Sequence, residues 1–387
     1  MSDDLISTQQ AADLLGVRVA TVYSYVSRGL LHRAGAGRSR QDGSRFDRAE
    51  VAQLAARHHR PRGGVFELTV ETAVTSLDPQ GRLLFRGRDA GELAEHSCFE
   101  QVAEIVWGEP DPPAVWPSGT TPPIRYDDAT RCDRIRLAVQ SAAITDPDRT
   151  SLSASHFRAA GRRAIMTAIA ALTPSAPPPA PSVAAGVWSA LSDRACHPDE
   201  LRAVEVALGI LADHELATST LAARAAASTG ADPYLVMLAG ASALAGERHG
   251  AASAPAYDLL VAARSGSAEI DDTPAGFGHA VYVGNDPRFD VLLSAVGRVA
   301  PDVVGTVDEL VVRVGRRHGV APNVDLALAA LSLATDLPRD AGAVLFMLAR
   351  LSGFVAHGIE EQGHPLRFRP RATYTGRSED HSGSGPT

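Results

Sequence analysis

Helical periodicity dominates this sequence. After Arg88, apolar residues recur at three- and four-residue spacing almost to the end of the chain, which places them on one side of an α-helix. Eleven stretches carry this spacing: 89–107, 130–145, 155–173, 183–193, 198–230, 232–246, 254–265, 290–300, 302–318, 323–335 and 339–361. The fold class predicted for this part of the chain is therefore all-α.

Three other kinds of segment interrupt or flank these stretches. Residues 65–85 alternate loosely in polarity around an Asp-Pro-Gln-Gly turn, which predicts a small β-ribbon. Proline-rich pieces at 110–123 and 174–181 predict loops, and the polar tail 377–387 is expected to be disordered. Neither a signal peptide nor an uninterrupted apolar run of membrane length is evident, so we expect a cytoplasmic protein with no membrane partner.

Composition excludes several kinds of chemistry. All 37 basic residues are arginine, so a Schiff-base lysine, a pyridoxal-phosphate anchor and the lysine of a phosphate-binding P-loop are absent. The three cysteines are scattered without a CxxC pair, which argues against a disulfide framework or a cysteine zinc site. Composition thus argues against these lysine-dependent and cysteine-dependent sites.

Charge divides the 387 residues unevenly. Residues 1–62 contain ten arginines and six acidic residues, a formal charge of +4, and the remainder carries −12. A small basic head before a larger acidic body is the asymmetry expected when one end of a protein meets nucleic acid. The linker HHRPRGG places the boundary between head and body near residue 63.

The head has the pattern of a winged helix-turn-helix. Ser7 can cap a first helix that ends at Gly16, a second helix is predicted over 19–26, and a glycine-rich basic hairpin leads to a third helix from Asp47 to about His58. The segment AADLLGVRVATVYSYVSRGLL resembles the heads of MerR- and excisionase-type proteins. The candidates for contact with the DNA groove are Thr21, Tyr23, Ser24 and Tyr25. The candidates for contact with phosphates are Arg38, Arg40 and Arg45. The alternative is a docking module without DNA, in which Tyr23 packs in the core.

Histidines and arginines in the body stand at positions where the chain pattern is interrupted. No dinucleotide-binding, zinc-protease, serine-hydrolase or phosphate-loop motif occurs there. The interrupted positions are DHE at 213–215, GERHG at 246–250, GFGH at 276–279 with DPR at 286–288, PNVD at 322–325, Arg350, and RPR at 369–371. Several arginines without acidic neighbours indicate a small molecule rich in carboxylate or phosphate.

This ordered set resembles the citrate synthase family over about residues 65–376. DHELATSTLAARAAASTGADPY, GFGHAVY followed by NDPR, PNVD and RPRATYTG carry the resemblance. It implies an all-α body with a large domain at 65–249 and 332–376 and a small domain at 250–331. It also implies condensation of acetyl-CoA with oxaloacetate, the tricarboxylic acid cycle reaction that yields citrate.

The resemblance assigns roles residue by residue. Asp325 would be the base, His249 would stabilise the enol of the thioester, and His279 would donate to the ketone oxygen of oxaloacetate. The carboxylates of oxaloacetate would be bound by four residues: His214, Arg288, Arg350 and, from a partner subunit, Arg369. A homodimer follows from the last assignment, and the resemblance implies that no metal and no bound cofactor is needed.

Departures from the family pattern leave alternatives open. Around His249 the run RHGAAS at 248–253 lacks a glycine and the asparagine that the family usually has, and Leu326-Ala327-Leu328 after Asp325 predicts a more apolar pocket wall. Such a wall would suit propionyl-CoA, the substrate of a 2-methylcitrate synthase. A third reading is a DNA-binding regulator that uses the enzyme fold to sense a metabolite.

Overall fold

The structure is a computed structural model. The structure describes residues 5–15, 19–27, 31–36, 44–48, 50–51, 69–77, 81–109, 115–119, 128–172, 182–247, 249–270, 272–279, 281–282, 284–364 and 368. The chain forms two compact units, Met1–Glu71 and Thr72–Thr387. The finer division of the body into a large domain and a small domain stays a prediction.

The first unit combines two helices with a small antiparallel sheet. Helices α1 (Thr8–Leu15) and α2 (Val19–Ser27) pack together, and strand β3 (Ser44–Asp47) pairs with both β1 (Leu5–Ser7) and β2 (Gly35–Ala36). The β2–β3 pairing confirms the predicted hairpin of the wing. The helices and the sheet enclose a small apolar core, which contains Ala11, Ala12, Leu15, Val22, Leu31, Phe46 and Val51.

The predicted cap of α1 is confirmed. The N–H of Ser7 donates to Oε1 of Gln10 (2.9 Å), and the N–H of Gln10 donates to Oγ of Ser7 (3.2 Å), which is a reciprocal capping box. Strand β1 was not predicted, because three residues are too few to show a period. The third helix is seen only as residues 48 and 50–51, and the rest of it lies outside the described residues.

The candidate DNA-contact residues of the head differ in exposure. Tyr23 is 41% exposed, with the guanidinium of Arg33 5.9 Å from its ring centre, so it does not pack in the core. Tyr25, another candidate for groove contact, is partly buried and packs against the core of the unit. Thr21 is half-buried, and Arg45 donates to the carbonyl of Leu5 (3.3 Å). Arg38, Arg40 and the side chain of Ser24 lie outside the described residues.

The second unit begins with the predicted ribbon. Strand β5 (Leu83–Phe85) pairs antiparallel with β4 (Thr75–Leu77) and with a short β6 (Arg88–Asp89). Asp89 then caps the first helix by accepting from the N–H groups of Gly91 and Glu92. The ribbon and the first helix therefore follow one another without a linker.

Helices form the rest of the described second unit, as predicted. In chain order they are α3 (Ala90–His96), α4 (Phe99–Trp107), α5 (Arg131–Ile144), α6 (Ala154–Leu172), α7 (Val183–Leu191), α8 (Pro198–Leu211), α9 (Thr218–Ala227), α10 (Pro233–Leu244), α11 (Ser253–Arg264), α12 (Pro287–Val299), α13 (Pro301–His318), α14 (Val324–Ala334) and α15 (Ala341–Glu361). The all-α prediction for the body is confirmed.

Two predicted helices are each broken in two. The stretch 89–107 divides at Ser97 and Cys98, where the backbone is extended and Gln101 caps the N–H of Cys98 (3.1 Å). The stretch 198–230 divides after Leu211, and α9 begins only at Thr218. The break after Leu211 contains the DHE run at 213–215, which the sequence already shows as an interrupted position, whereas apolar spacing continues across Ser97 and Cys98 and hides that break.

Helix α15 forms the centre of the second unit. It packs against α4, α5, α6, α8, α9, α10, α11 and α14. By length and composition alone it could cross a membrane, but 89% of its most apolar stretch is buried inside the fold, as in the central helix of a globular core. Burial on all sides explains why this helix has apolar residues all round.

Candidate active site

Six side chains singled out from the sequence line one cavity of about 680 Å³ in the second unit. They are His214, His249, His279, Arg288, Asp325 and Arg350. Five of them lie in loops or in the first turn of a helix, where functional side chains are often found. Arg369, the seventh predicted residue, lies outside the described residues.

Asp325 is a buried carboxyl group with a free oxygen. It lies in the first turn of α14, where its N–H donates to Oδ1 of the N-cap Asn323 (3.0 Å). Its Oδ1 has no hydrogen-bond partner in the described structure. Burial raises the pKa of Asp325 to about 7, although Arg288 opposes this shift. These are the properties of a general base that operates near neutral pH.

His249 lies in the turn after α10, where its N–H donates to the carbonyl of Gly246 (2.9 Å). Its Nε2 lies 2.8 Å from Oγ of Ser219, and the edge of its ring meets Phe346. Burial, with help from Arg350, lowers the pKa of His249 to about 4. The imidazole is therefore uncharged at neutral pH and has one N–H to donate.

Arg288 is fixed by Asp286 at the start of α12. Its Nε and Nη2 donate to the two carboxylate oxygens of Asp286, at 2.9 and 2.7 Å. Asp286 also accepts from the N–H of Val324 (3.1 Å), so it joins the beginnings of α12 and α14. Burial opposes the charge of Arg288, but the Asp286 carboxylate keeps its pKa above the usual value. Asp286 thereby brings Arg288 close to Asp325.

His279 is oriented by the backbone. Its Nδ1 accepts from the N–H groups of Val281 (3.0 Å) and Tyr282 (3.3 Å), and its Nε2 lies 3.2 Å from Nη2 of Arg288. Burial and then the charge of Arg288 lower the pKa of His279. The ring is thus held as a neutral imidazole with Nε2 beside the guanidinium.

His214 lies in the break between α8 and α9. Its Nε2 is 2.9 Å from Oη of Tyr282, and its ring stands edge-on to His279 with centres 5.3 Å apart. Burial, followed by Arg288 and Arg350, lowers its pKa well below the usual value. The helix break therefore delivers a neutral histidine to the cavity.

A buried carboxylate holds this break in place. Oδ2 of Asp213 accepts from Oγ1 of Thr75 (2.6 Å), the N–H of Glu215 (3.1 Å) and Nε2 of His357 (3.1 Å). Burial alone would raise the pKa of Asp213, but His357 and the hydrogen bonds bring it below the usual value. Strand β4, the break and α15 are thereby tied to one carboxylate.

Arg350 is a buried cation with an unfilled donor. It is fully buried in α15, its Nε donates to the carbonyl of Leu211 (3.0 Å), and its guanidinium lies 4.9 Å from the ring centre of Phe346. Its Nη2 has no hydrogen-bond partner among the described residues. Burial lowers its pKa to about 10, so it remains charged. A buried charged donor of this kind favours an anionic ligand.

Four further residues shape the site but received no role from the sequence: Ser219, Tyr282, Asp286 and Asp213. All four stand inside motifs that did draw attention, such as the DPR run, and an aspartate before a proline at a helix start is a recognisable cap. No signal in one sequence indicates that Ser219 faces His249. That contact depends on the packing of α9 against the turn after α10.

The predicted apolar pocket wall after Asp325 is wrong. Leu326, Ala327 and Leu328 are fully buried in the core and do not line the cavity. Helix α14 directs them into the protein interior, because only its first residues reach the cavity.

In the run around His249, Arg248 lies outside the described residues, and Ala252 lines the cavity. Within the described residues, no three His, Cys, Asp or Glu side chains are grouped to hold a metal ion.

Comparison with known proteins agrees with this geometry. The sequence profile of the citrate synthase C-terminal domain matches residues 123–371, and a helix-turn-helix profile matches residues 5–59. A citrate synthase of Mycolicibacterium smegmatis is 27% identical over 371 residues, covering 84% of this chain and 97% of the relative. A 2-methylcitrate synthase of Mycobacterium tuberculosis is 25% identical over 352 residues, covering 80% and 88%.

Solved structures share the fold. The citrate synthase of Thermotoga maritima superposes with a TM-score of 0.63 at 23% identity, over 80% of this chain and 94% of that one. The ternary complex of citrate synthase from Thermoplasma acidophilum with carboxymethyl coenzyme A and oxaloacetate gives a TM-score of 0.62 at 22% identity, with the same coverage. The family profile spans well over half of the chain, which therefore belongs to the citrate synthase family of acyltransferases.

Proposed function

We propose that this protein condenses acetyl-CoA with oxaloacetate and hydrolyses the resulting thioester to citrate and CoA. The observation that carries the proposal is the cavity in which Asp325, with a free Oδ1 and a pKa of about 7, faces neutral histidines and the buried cation Arg350. Removal of a proton beside a thioester needs such a base together with a donor for the enol oxygen.

The first step would use Asp325 and His249. Asp325 would take a proton from the methyl group of acetyl-CoA, while the N–H of neutral His249 would donate to the thioester oxygen and stabilise the enol. The contact of His249 with Ser219 supports this orientation, because it occupies one ring nitrogen and leaves the other for substrate. A histidine whose pKa is about 4 is already neutral near pH 7, so its remaining N–H can donate a hydrogen bond to the thioester oxygen.

The second step would use the remaining groups. The enol carbon would attack the ketone carbon of oxaloacetate, and His279 would donate to the ketone oxygen as the new carbon–carbon bond forms. His214, Arg288 and Arg350 would bind the two carboxylates. The family resemblance adds Arg369 from a partner subunit, so a homodimer is part of the proposal. Water would then cleave the thioester and release CoA, with no metal or bound cofactor.

Release of free CoA thiol tests the proposal. Purified protein with oxaloacetate and acetyl-CoA should release thiol and form citrate, and the Asp325→Ala variant should not. Propionyl-CoA in a parallel assay tests the 2-methylcitrate alternative, which the M. tuberculosis relative keeps open. Absence of release with either thioester, from folded protein, would contradict a condensing enzyme.

A second function is supported by the first unit. The helix-turn-helix profile, the formal charge of +4 over residues 1–62 and the paired wing strands favour binding of duplex DNA. We propose that the protein binds a site near its own operon and that binding weakens as salt is raised. Fluorescence anisotropy with that promoter and with scrambled DNA measures this, and equal affinity for both at low salt would contradict specific binding.

A further inference from the structure

Tyr282 lies between two of the site histidines. Its Oη is 2.9 Å from Nε2 of His214, and its backbone N–H donates to Nδ1 of His279 (3.3 Å). Its ring also contacts both imidazoles, with centres 5.5 Å from His214 and 4.7 Å from His279. One residue therefore contacts a single nitrogen of each histidine.

The direction of the hydrogen bond between Tyr282 and His214 follows from the protonation and burial of the Tyr282 hydroxyl. Tyr282 is 9% exposed, and burial raises its pKa to about 12, so the hydroxyl keeps its proton. Nε2 of His214 is the one acceptor that the described residues offer to this hydroxyl. A buried hydroxyl donates its proton where an acceptor exists, so Nε2 accepts and the proton of His214 is on Nδ1.

The proton of His279 is fixed by the opposite nitrogen. Two backbone N–H groups point at Nδ1, which must therefore be unprotonated, and the proton is on Nε2. This Nε2–H lies 3.2 Å from Nη2 of Arg288, which is itself a donor. Two donors at this distance do not bind each other, so they need a common acceptor. A carboxylate or ketone oxygen of a ligand in the cavity would satisfy both.

We propose that Tyr282 is a positioning residue that sets the tautomers of His214 and His279, so that both rings present an N–H to an oxygen-rich substrate. The hydroxyl acts on His214, and the backbone N–H, with that of Val281, acts on His279. The identification of the substrate as oxaloacetate rests on the proposed function. The tautomers themselves are properties of the protein without substrate.

Nitrogen-15 NMR of histidine-labelled protein without substrate tests the proposal. The two nitrogens of His214, assigned with a His214→Gln variant, should appear as a protonated Nδ1 and an unprotonated Nε2. In Tyr282→Phe the two shifts should move towards each other, because the proton is then free to occupy either nitrogen. Tyr234→Phe is the matched control, since it removes another buried phenol, which donates to Asp146 (2.5 Å).

A protonated Nε2 in the native protein would overturn the proposal, and so would shifts in Tyr282→Phe that equal those of the native protein. The protonation of Nε2 is measured on the native protein, so this result holds even if Tyr282→Phe does not fold. Failure of the native protein to release CoA would contradict the proposed function and would leave the tautomers as they are. The two failures are therefore distinguishable.

Kinetics provide the second readout. In Tyr282→Phe the KM for oxaloacetate should rise about tenfold, equivalent to about 1.4 kcal/mol, because His214 no longer presents its N–H in a fixed position. The kcat should fall by a smaller factor, because phenylalanine keeps the backbone N–H that orients His279. Equal losses of kcat in Tyr282→Phe and Tyr234→Phe, with KM unchanged in both, would indicate a structural role only and contradict the proposal.

Discussion

Burial sets the protonation of each group in the candidate site. Desolvation moves the pKa of Asp325 up to about 7 and that of His249 down to about 4, and it lowers the pKa values of His214 and His279. The carboxyl group is thus ready to accept a proton when the histidines are ready to donate one. Exclusion of water is the largest cause at all four groups, and the charge of Arg288 adds to it at the three histidines.

This protonation pattern predicts a pH dependence of turnover. Proton abstraction needs ionised Asp325, so kcat/KM should rise with pH to a plateau with an apparent pKa near 7, falling about tenfold per unit below it. His249 should add no further limb near neutral pH, because it is already neutral there. Initial rates of thiol release from about pH 5 to about pH 9 measure this. A flat profile would contradict the assignment of Asp325.

The raised pKa of Asp325 also predicts a cost in stability. The folded protein holds this proton up to about pH 7, whereas the unfolded chain loses it near the ordinary value of 3.8, so stability falls as pH rises between these values. Asp325→Asn removes the penalty and should raise the free energy of unfolding at pH 8 by about 1 to 3 kcal/mol. Urea unfolding at pH 8 and at pH 4 measures the gain, which should shrink at the lower pH.

Arg350 and Arg288 differ in what they offer a ligand. Asp286 already neutralises Arg288, whereas Nη2 of Arg350 is unfilled. Arg350→Gln should therefore weaken oxaloacetate binding by about thirtyfold or more, the cost of a lost charged hydrogen bond in a buried site. Calorimetric titration measures it. Arg339→Gln is the control, since Arg339 forms an exposed pair with Asp258, and an equal loss in both variants would contradict the role of Arg350.

At the level of elements, helix ends build the site. The break after α8 exposes the carbonyls of Leu211 and Ala212, which accept from Arg350, from Ser352 and from the N–H of Gly353 (3.0 Å) on α15. These bonds satisfy the end of α8 and fix where His214 stands. The conformation of the break is therefore stabilised by hydrogen bonds from α15 and by the hydrogen bonds that Asp213, a residue of the break itself, accepts.

Gly353 is the tightest point of this contact. A Cβ added there would lie 2.8 Å from the carbonyl oxygen of Ala212, and would overlap the carboxylate of Asp213. Gly353→Ala should cost about 2 to 4 kcal/mol in stability and raise the KM for oxaloacetate, because the break must shift. Gly305→Ala on α13 is the control, since nothing lies within 4 Å of its added Cβ. It should stabilise the protein by about 0.5 to 1 kcal/mol.

Such elements show what a sequence alone reveals. Periodicity predicts the helices, and the capping box of Ser7 and Gln10 predicts the start of α1, because both are local properties. The DHE run marks the break before α9, but the contacts that α15 makes with this break are not visible in the sequence, because α15 is distant along the chain. Asp325 and Arg350 are found from motifs, but the contacts of Ser219 and Tyr282 depend on tertiary packing. Residues that act through others are the part a single sequence does not specify.

For the whole molecule, two compact units on one chain carry two kinds of chemistry. The first has a small core and a formal charge of +4 over residues 1–62, and the second has the candidate active site and a strongly acidic composition. The charge contrast favours DNA at the first unit, and the buried arginines favour a small anion at the second. The cavity of the second unit is lined by all six described site residues, so the candidate enzymatic function belongs to this unit.

Single-turnover release of CoA from acetyl-CoA and oxaloacetate by the native protein, Asp325→Asn and Asp258→Asn is the most direct test of Asp325 as the base. Asp258 is exposed and paired with Arg339, so its variant controls for the loss of a carboxylate alone. We expect release by the native protein and by Asp258→Asn, with release by Asp325→Asn slower by at least about a hundredfold. Equal rates in all three proteins would contradict this role of Asp325.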